Sequence, residues 1–257
     1  MNAGMTQKRQ IRRRKSIEGY ASTTMAERRK RILAVARELV AEQGIDGFSV
    51  NALCDRADVA KQTLYNAFGT KDQLIAAAIV DYFEDYEKNI PYRSALGTLD
   101  RLIERMVAVG TRNLAIRHYI GAITGFYFSA SAHPELRVAL RRIFSVIQGR
   151  YIDSLIESDS LLPWMDRERL LESLDDQRML VAAKWTNGEI ADGAFVDNLV
   201  MGVLTLLLGV TRGAARDGIV TIANRIGAGG ARAYVEALPA ERCETMTGIR
   251  PVTPSPE

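Results

Sequence analysis

The chain is poor in the residues on which most catalytic and metal sites depend. Its two cysteines, Cys54 and Cys243, and its two histidines, His118 and His133, are far apart and form no Cys-x-x-Cys or Cys/His cluster. Neither a disulfide framework nor a zinc site is expected, and no metal or cofactor is anticipated. The seven prolines interrupt no strongly periodic segment, and no stretch alternates polar and apolar residues long enough to require a sheet. Long apolar runs are missing too. The longest, Leu199 to Val210, covers 12 residues between Asp197 and Arg212, short of the ~20 that a bilayer demands. The N-terminus is basic but lacks the apolar segment of a signal peptide, so a cytoplasmic protein with no membrane partner is expected.

What the chain has is length and ordinary composition. Its 257 residues are 47% hydrophobic with a net charge of only +3, enough to bury a core rather than remain disordered, and long enough for two domains. The small net charge hides an asymmetry. Residues 1–75 carry 14 Lys/Arg against 8 Asp/Glu, whereas residues 76–257 carry 20 against 23. A basic end on a mildly acidic body suggests a polyanion bound at one end, and double-stranded DNA is the first candidate.

Periodicity predicts helices throughout, giving an all-α fold. Residues 1–23 read as a flexible basic arm (Lys8, Arg9, Arg12, Arg13, Arg14, Lys15), which either follows the DNA backbone or serves as a solubilising tail. Thr24 and Glu27 have capping-box spacing and open a first helix that ends at Gly44. Short helices follow over about 49–57 and 60–67. Thr70 and Gln73 repeat the capping-box spacing and start a fourth helix with the stripe Leu74, Ala78, Ile79, Tyr82, Phe83 and Tyr86. Pro91 marks the boundary between domains 24–90 and 91–240, and 241–257 reads as a tail.

The informative segment is Gly44 to Leu74. Two short helices meet at a tight turn, Asp58-Val59, with Phe48, Val50, Leu53, Ala57, Leu64 and Phe68 as apolar positions, a pattern that suits a helix-turn-helix. The second helix of such a motif lies in the major groove. Its polar positions here are Lys61, Gln62, Thr63, Tyr65 and Asn66. Lys and Gln can address guanine and adenine edges, and Thr a thymine methyl.

With its Gly47-Phe48-Ser49-Val50 opening and Thr63-Leu64-Tyr65-x-x-Phe68-x-x-Lys71-x-x-Leu74, the sequence resembles the TetR family of bacterial transcriptional regulators over about its first 85 residues. The resemblance implies a three-helix DNA-binding domain joined by a fourth helix to a C-terminal bundle for ligand binding and dimerisation. It implies phosphate contacts from Ser49, Tyr65 and Lys71, and base or nearby backbone contacts from Lys61, Gln62, Thr63 and Asn66. Two positions depart from the family pattern. Asp58 stands where glycine is usual in the turn, and Ala60 where a capping Ser or Thr opens the recognition helix. Asp tolerates the left-handed conformation, but Ala60 cannot cap.

In the body, stripes at Leu96, Leu99, Ile103 and Met106, at Ile116, Ile120, Ile123 and Tyr127, and at Leu136, Leu140, Ile143, Ile147 and Tyr151 predict packed helices. A helix over about 170–185, one through 195–210 and a last one over about 219–238 complete the bundle. Two apolar stripes cover most of the 195–210 helix. It is therefore either central within one monomer or has a side left for a partner subunit. Phe195, Leu199, Val200, Val203, Leu204 and Leu207 are the expected homodimer contact. Met106, Tyr119, Phe126, Tyr127, Tyr151, Trp164 and Trp185 are the candidates for an apolar effector pocket, with ordinary core as the alternative.

The favoured function is a ligand-responsive regulator acting as a homodimeric repressor on a palindromic operator and released by a small, mostly apolar molecule. An activator of the same family is the alternative. An all-helical enzyme lacks a nucleophile with its base, a carboxylate pair or a metal cluster, since Asp175/Asp176 and Glu84/Asp85 point to different helix faces. A protein-binding adaptor does not explain the polar recognition helix.

Overall fold

A computed structural model describes residues 25–129 and 134–239. The basic arm, Thr24, His133, Cys243 and the C-terminal tail lie outside the described residues, as do the side chains of Leu136, Leu140, Ile143 and Ile147. Among the described residues the chain is helical, with one isolated antiparallel bridge between Leu161 and Thr211. The helices are α1 (25–43), α2 (Val50–Ala57), α3 (Lys61–Phe68), α4 (Lys71–Glu87), α5 (Leu99–Leu114), α6 (Arg117–Tyr127), α7 (Pro134–Glu157), α8 (Arg167–Thr186), α9 (Asp192–Val210), α10 (Gly213–Gly229) and α11 (Ala231–Glu236).

Local chemistry sets several of these limits. The side chains of Ser49, Thr70, Thr98 and Asp166 accept backbone N–H groups at the starts of α2, α4, α5 and α8, replacing partners that the first turn of a helix lacks. Thr70 and Gln73 form the full capping box. Asp58 closes α2 in the left-handed region at φ 47 and ψ 61, as its tolerance of that conformation allows. Ala60 precedes α3 with no side-chain cap.

Two cores are joined by α4. Ile32, Leu33, Ala36, Leu39 and Val40 of α1 pack with Leu53, Leu64, Leu74 and Ile79, all essentially without exposure. Truncating one such leucine to Ala should cost roughly 2–5 kcal/mol. In the body, α9 packs against α5, α8, α10 and α11, and α8 also contacts α6 and α7. By length and composition α9 could cross a bilayer; in this fold its apolar side chains form the core of the bundle. The connection after α4 is held by Glu104. Although 4% exposed, its carboxylate accepts the backbone N–H groups of Arg93 and Ser94 at 2.9 and 3.1 Å, which offsets its desolvation.

Several expectations are corrected. Leu96 precedes α5 and is exposed. The single last helix is two, since Gly230 at φ 85 breaks the run and Asp197 accepts the Ala231 N–H at 2.8 Å. On α9, Phe195, Val200, Val203, Leu204 and Leu207 are fully buried and Leu199 nearly so within one protomer. They line its interior and are not surface for a partner. The outward face carries Asn198, Met201, Gly202 and Thr205, beside the exposed Leu180 of α8.

Candidate nucleic-acid interface and effector cavity

The helical repeat divides α3 into two sides. Leu64 and Phe68, four residues apart, are buried against the domain core, and two adjacent rows, Lys61/Tyr65 and Gln62/Asn66, lie on the solvent side. Thr63 is half-buried beside them. Tyr65 is 39% exposed, unusual for an aromatic residue in the middle of a small helix. The Gln62 Nε2 donates to the Asn66 carbonyl oxygen at 2.9 Å. That bond leaves the Gln62 oxygen and one Asn66 amide group facing outward, a donor and an acceptor side by side.

Ser49 and Lys71 flank this helix. The Ser49 hydroxyl is occupied as the α2 cap, accepting the Ala52 N–H at 3.2 Å, but a hydroxyl still has a proton to donate. Lys71 is the first residue of α4, and its ammonium stands 5.8 Å from the Phe48 ring centroid. A cation at a helix N-terminus is electrostatically unfavourable alone, because both carry positive charge. An anion placed there satisfies both at once. Of the basic cluster at the start of α1, Arg29 lies over the Phe68 ring at 4.5 Å, and the Arg31 Nε donates to the Ala57 carbonyl at 3.1 Å. These two brace the motif, while Arg28 and Lys30 are exposed.

Residues 32–78 match the model of bacterial regulatory proteins of the tetR family. Over that segment the chain is similar to the TetR family of bacterial regulatory proteins. Over 99 residues it is 32% identical to the HTH-type transcriptional repressor KstR of Rhodococcus jostii (strain RHA1), covering 37% of this chain and 47% of that protein. The match therefore spans about half the length of that relative. A TetR transcriptional regulator of Rhodococcus sp. RHA1 superposes with a TM-score of 0.54 at 19% identity, over 72% of this chain and 98% of that one. TylP, a TetR regulator of Streptomyces fradiae, does so with a TM-score of 0.51 at 15% identity, over 79% and 99%. At such identities these structures speak for the fold.

In the helical body, a cavity of about 40 Å³ lies between α4, α5, α6, α8 and α9. Its walls are mainly apolar, with Phe83, Met106, Ile120 and Met179 among them, but Asn113, Thr124 and Arg178 also reach it. Of the seven residues proposed from sequence, Met106 lines it. Tyr119, Phe126, Tyr127 and Tyr151 are buried elsewhere in the packing, the Tyr127 hydroxyl donating to Asp176 at 2.6 Å. Trp164 is 57% exposed in the α7–α8 connection. Trp185 is fully buried, stacked on Phe195 with centroids 4.1 Å apart and donating its indole N–H to Asp192 at 2.7 Å.

Sequence reasoning missed Asn113, Thr124, Arg178 and Phe83. Met106, Val109, Gly110 and Asn113 recur at three and four along α5. A polar residue continuing an apolar row was the available signal. Phe83 matters for another reason: it places the connecting helix itself in the cavity wall. Lys71 stands at the other end of that helix, about 18 Å away at 1.5 Å per residue.

The same end of α4 is fastened both to α1 and to the bundle. Arg37 pairs with Asp81 at 3.0 Å and lies over the Tyr82 ring, Arg112 lies over Tyr82 and Tyr86, and Tyr82 meets Tyr119 edge to face at 5.9 Å. Glu87 receives the Arg105 Nε at 2.7 Å.

Proposed function

We propose that this chain is a ligand-responsive transcriptional repressor, which binds a palindromic operator as a homodimer and is released by a small, mostly apolar molecule. The observation that carries the reading is the polar face of α3, backed by buried Leu64 and Phe68 and flanked by Lys71 at the start of α4. In this reading residues 24–90 bind DNA and residues 91–240 bind the effector and dimerise. Ser49, Tyr65 and Lys71 hold phosphates, while Lys61, Gln62, Thr63 and Asn66 face bases, since phosphate contacts position the protein and base contacts specify the sequence. Repression is supported by the Rhodococcus jostii relative, a transcriptional repressor.

Two recognition helices read successive major grooves only when their centres lie about 34–36 Å apart. The outward faces of α8 and α9, with Leu180, Gln177, Met201 and Thr205 along their groove, support a two-fold contact that would fix this spacing. The cavity supports the effector role. At about 40 Å³ it is far below the ~300 Å³ of an ordinary ligand pocket, so an effector must part its walls. Because Phe83 is one of them, parting moves α4 and tilts the DNA-binding domain. The ligand must then bind more weakly to the DNA complex by the same factor.

Electrophoretic mobility shifts on DNA flanking the coding sequence, at two salt concentrations, test the reading. Sequence-preferring binding that weakens with salt is expected, because neutralised phosphates release counterions. Equal affinity for flanking and random DNA would remove the operator-binding function.

A further inference from the structure

The cavity carries information about the chemistry of its occupant. Asn113 is 9% exposed, faces the cavity from α5, and its Oδ1 is a buried acceptor with no hydrogen-bond partner. Such a group is destabilising while unsatisfied. On the α8 side stands Arg178, 7% exposed, whose Nη1 donates to the Gln148 oxygen at 2.7 Å. Gln148 in turn donates to Asp175 at 2.9 Å. Burial lowers the Arg178 pKa to about 10, which leaves it a cation at neutral pH.

The cations nearest the cavity each have an acidic neighbour. Asp175 lies 4.0 Å from Arg178, and Glu87 is paired with Arg105. A ligand carboxylate would add a further negative charge beside cations that already have acidic partners, in an interior where burying a charge is heavily penalised. It would also present only acceptors to Asn113 Oδ1, itself an acceptor. A pure hydrocarbon would leave that oxygen as it is. A hydroxyl resolves both constraints, because one uncharged atom donates a proton and accepts others.

The geometry points to a neutral apolar molecule bearing a hydroxyl group as the occupant of this cavity, with the hydroxyl bound to Asn113 and the apolar part between α4, α5, α6 and α9. This rests on the effector reading given above and narrows its ligand class. Asn113 sets the preference for an alcohol, and the apolar walls supply most of the affinity.

Titration calorimetry of the full chain with octanol, methyl octyl ether and octanoate tests it. Octanol is expected to bind at least about tenfold more tightly than the ether or the carboxylate, because those leave the Asn113 acceptor unmet. Asn113→Leu should abolish the preference while retaining binding of the ether, and Ala182→Trp, which fills the cavity, should weaken all three. The comparison of ligands on the unaltered protein needs no variant to fold. If the ether or octanoate binds as tightly as octanol and Ala182→Trp removes that binding, the cavity is a ligand site but the hydroxyl assignment is wrong. A preference for octanol that survives Asn113→Leu overturns the assignment as well. If none of the three binds, the effector reading of the cavity fails and this inference falls with it.

Discussion

Tyr86 donates its hydroxyl to the Ala108 carbonyl at 3.0 Å, tying the last turn of α4 to the middle of α5. One residue further, Glu87 accepts from Arg105, whose side chain is 3% exposed. The last turn of α4 is therefore held to α5 by a hydrogen bond and an ion pair one residue apart.

The two ion pairs that hold α4 should differ sharply in worth. Glu87→Gln removes the carboxylate from a buried pair and should be the costlier change, by roughly 3 kcal/mol. Asp81→Asn removes a pair whose side chains are 25% and 40% exposed, and should cost less than about 1 kcal/mol. Urea denaturation of both variants checks the ordering.

On DNA, Tyr65→Phe and Lys71→Ala should weaken binding to all sequences alike, whereas Lys61→Ala and Gln62→Ala should also relax base preference, by roughly 1–3 kcal/mol per lost bidentate contact. Because Gln62 is hydrogen-bonded to Asn66, Gln62→Ala and Asn66→Ala should be non-additive when combined. Binding isotherms on operator and scrambled duplexes measure this. Unchanged operator preference in both Lys61→Ala and Gln62→Ala would move the recognition face elsewhere.

The DNA-binding half was legible because its signals are local. The capping residues Ser49 and Thr70, the left-handed tolerance of Asp58 and the spacing of Leu64 and Phe68 each act within a few residues. The bundle was less legible because its decisions are between helices. Periodicity marks α9 as apolar on most sides but cannot tell which stripe meets α5, α8 and α10 and which faces outward. The outward side is the less apolar one, Asn198, Met201, Gly202 and Thr205. Residue size misled in the same way, since Trp185 is used to close the corner between α8 and α9 by stacking on Phe195, while the cavity is marked by the smaller polar Asn113.

That reassignment separates two classes of α9 variant. Met201→Glu, or Leu180→Glu on α8, should abolish the proposed dimer and leave the chain folded, because a surface carboxylate stays solvated in the monomer. Leu204→Glu should unfold the protomer, since its site has no solvent access and a lone buried charge is severely destabilising. Sedimentation velocity together with circular dichroism distinguishes the two. A folded wild-type monomer at micromolar concentration would exclude the dimer outright.

Alkaline pH should destabilise the body through its buried phenols. Tyr151 is 6% exposed, and burial, aided by nearby Asp100, pushes its pKa up to about 12, against about 10 in an unfolded chain. A pKa raised by folding means that this contribution is fully present below pH ~10 and is lost as pH rises toward 12. Tyr151→Phe should therefore move the alkaline unfolding midpoint upward. Phenolate absorbance recorded alongside circular dichroism tests it: a Tyr151 that ionises near pH 10 with the fold intact would show that it is not buried.

Ala60 offers the most direct gain of function. It precedes α3 in extended conformation, φ −70 and ψ 143, and makes no side-chain cap. A serine there has the backbone geometry of a capping residue already in place, so Ala60→Ser should stabilise the domain by roughly 0.5–2 kcal/mol through a bond to a first-turn N–H. Its hydroxyl proton remains available to a phosphate at the mouth of the groove. Operator affinity should rise with stability unchanged in sign, and random DNA should benefit equally, because a phosphate contact carries no sequence information. Thermal unfolding separates the capping effect from the DNA effect: a higher melting temperature with unaltered affinity for both duplexes would show that position 60 stands away from the phosphate backbone, and would turn α3 into the groove by a different edge.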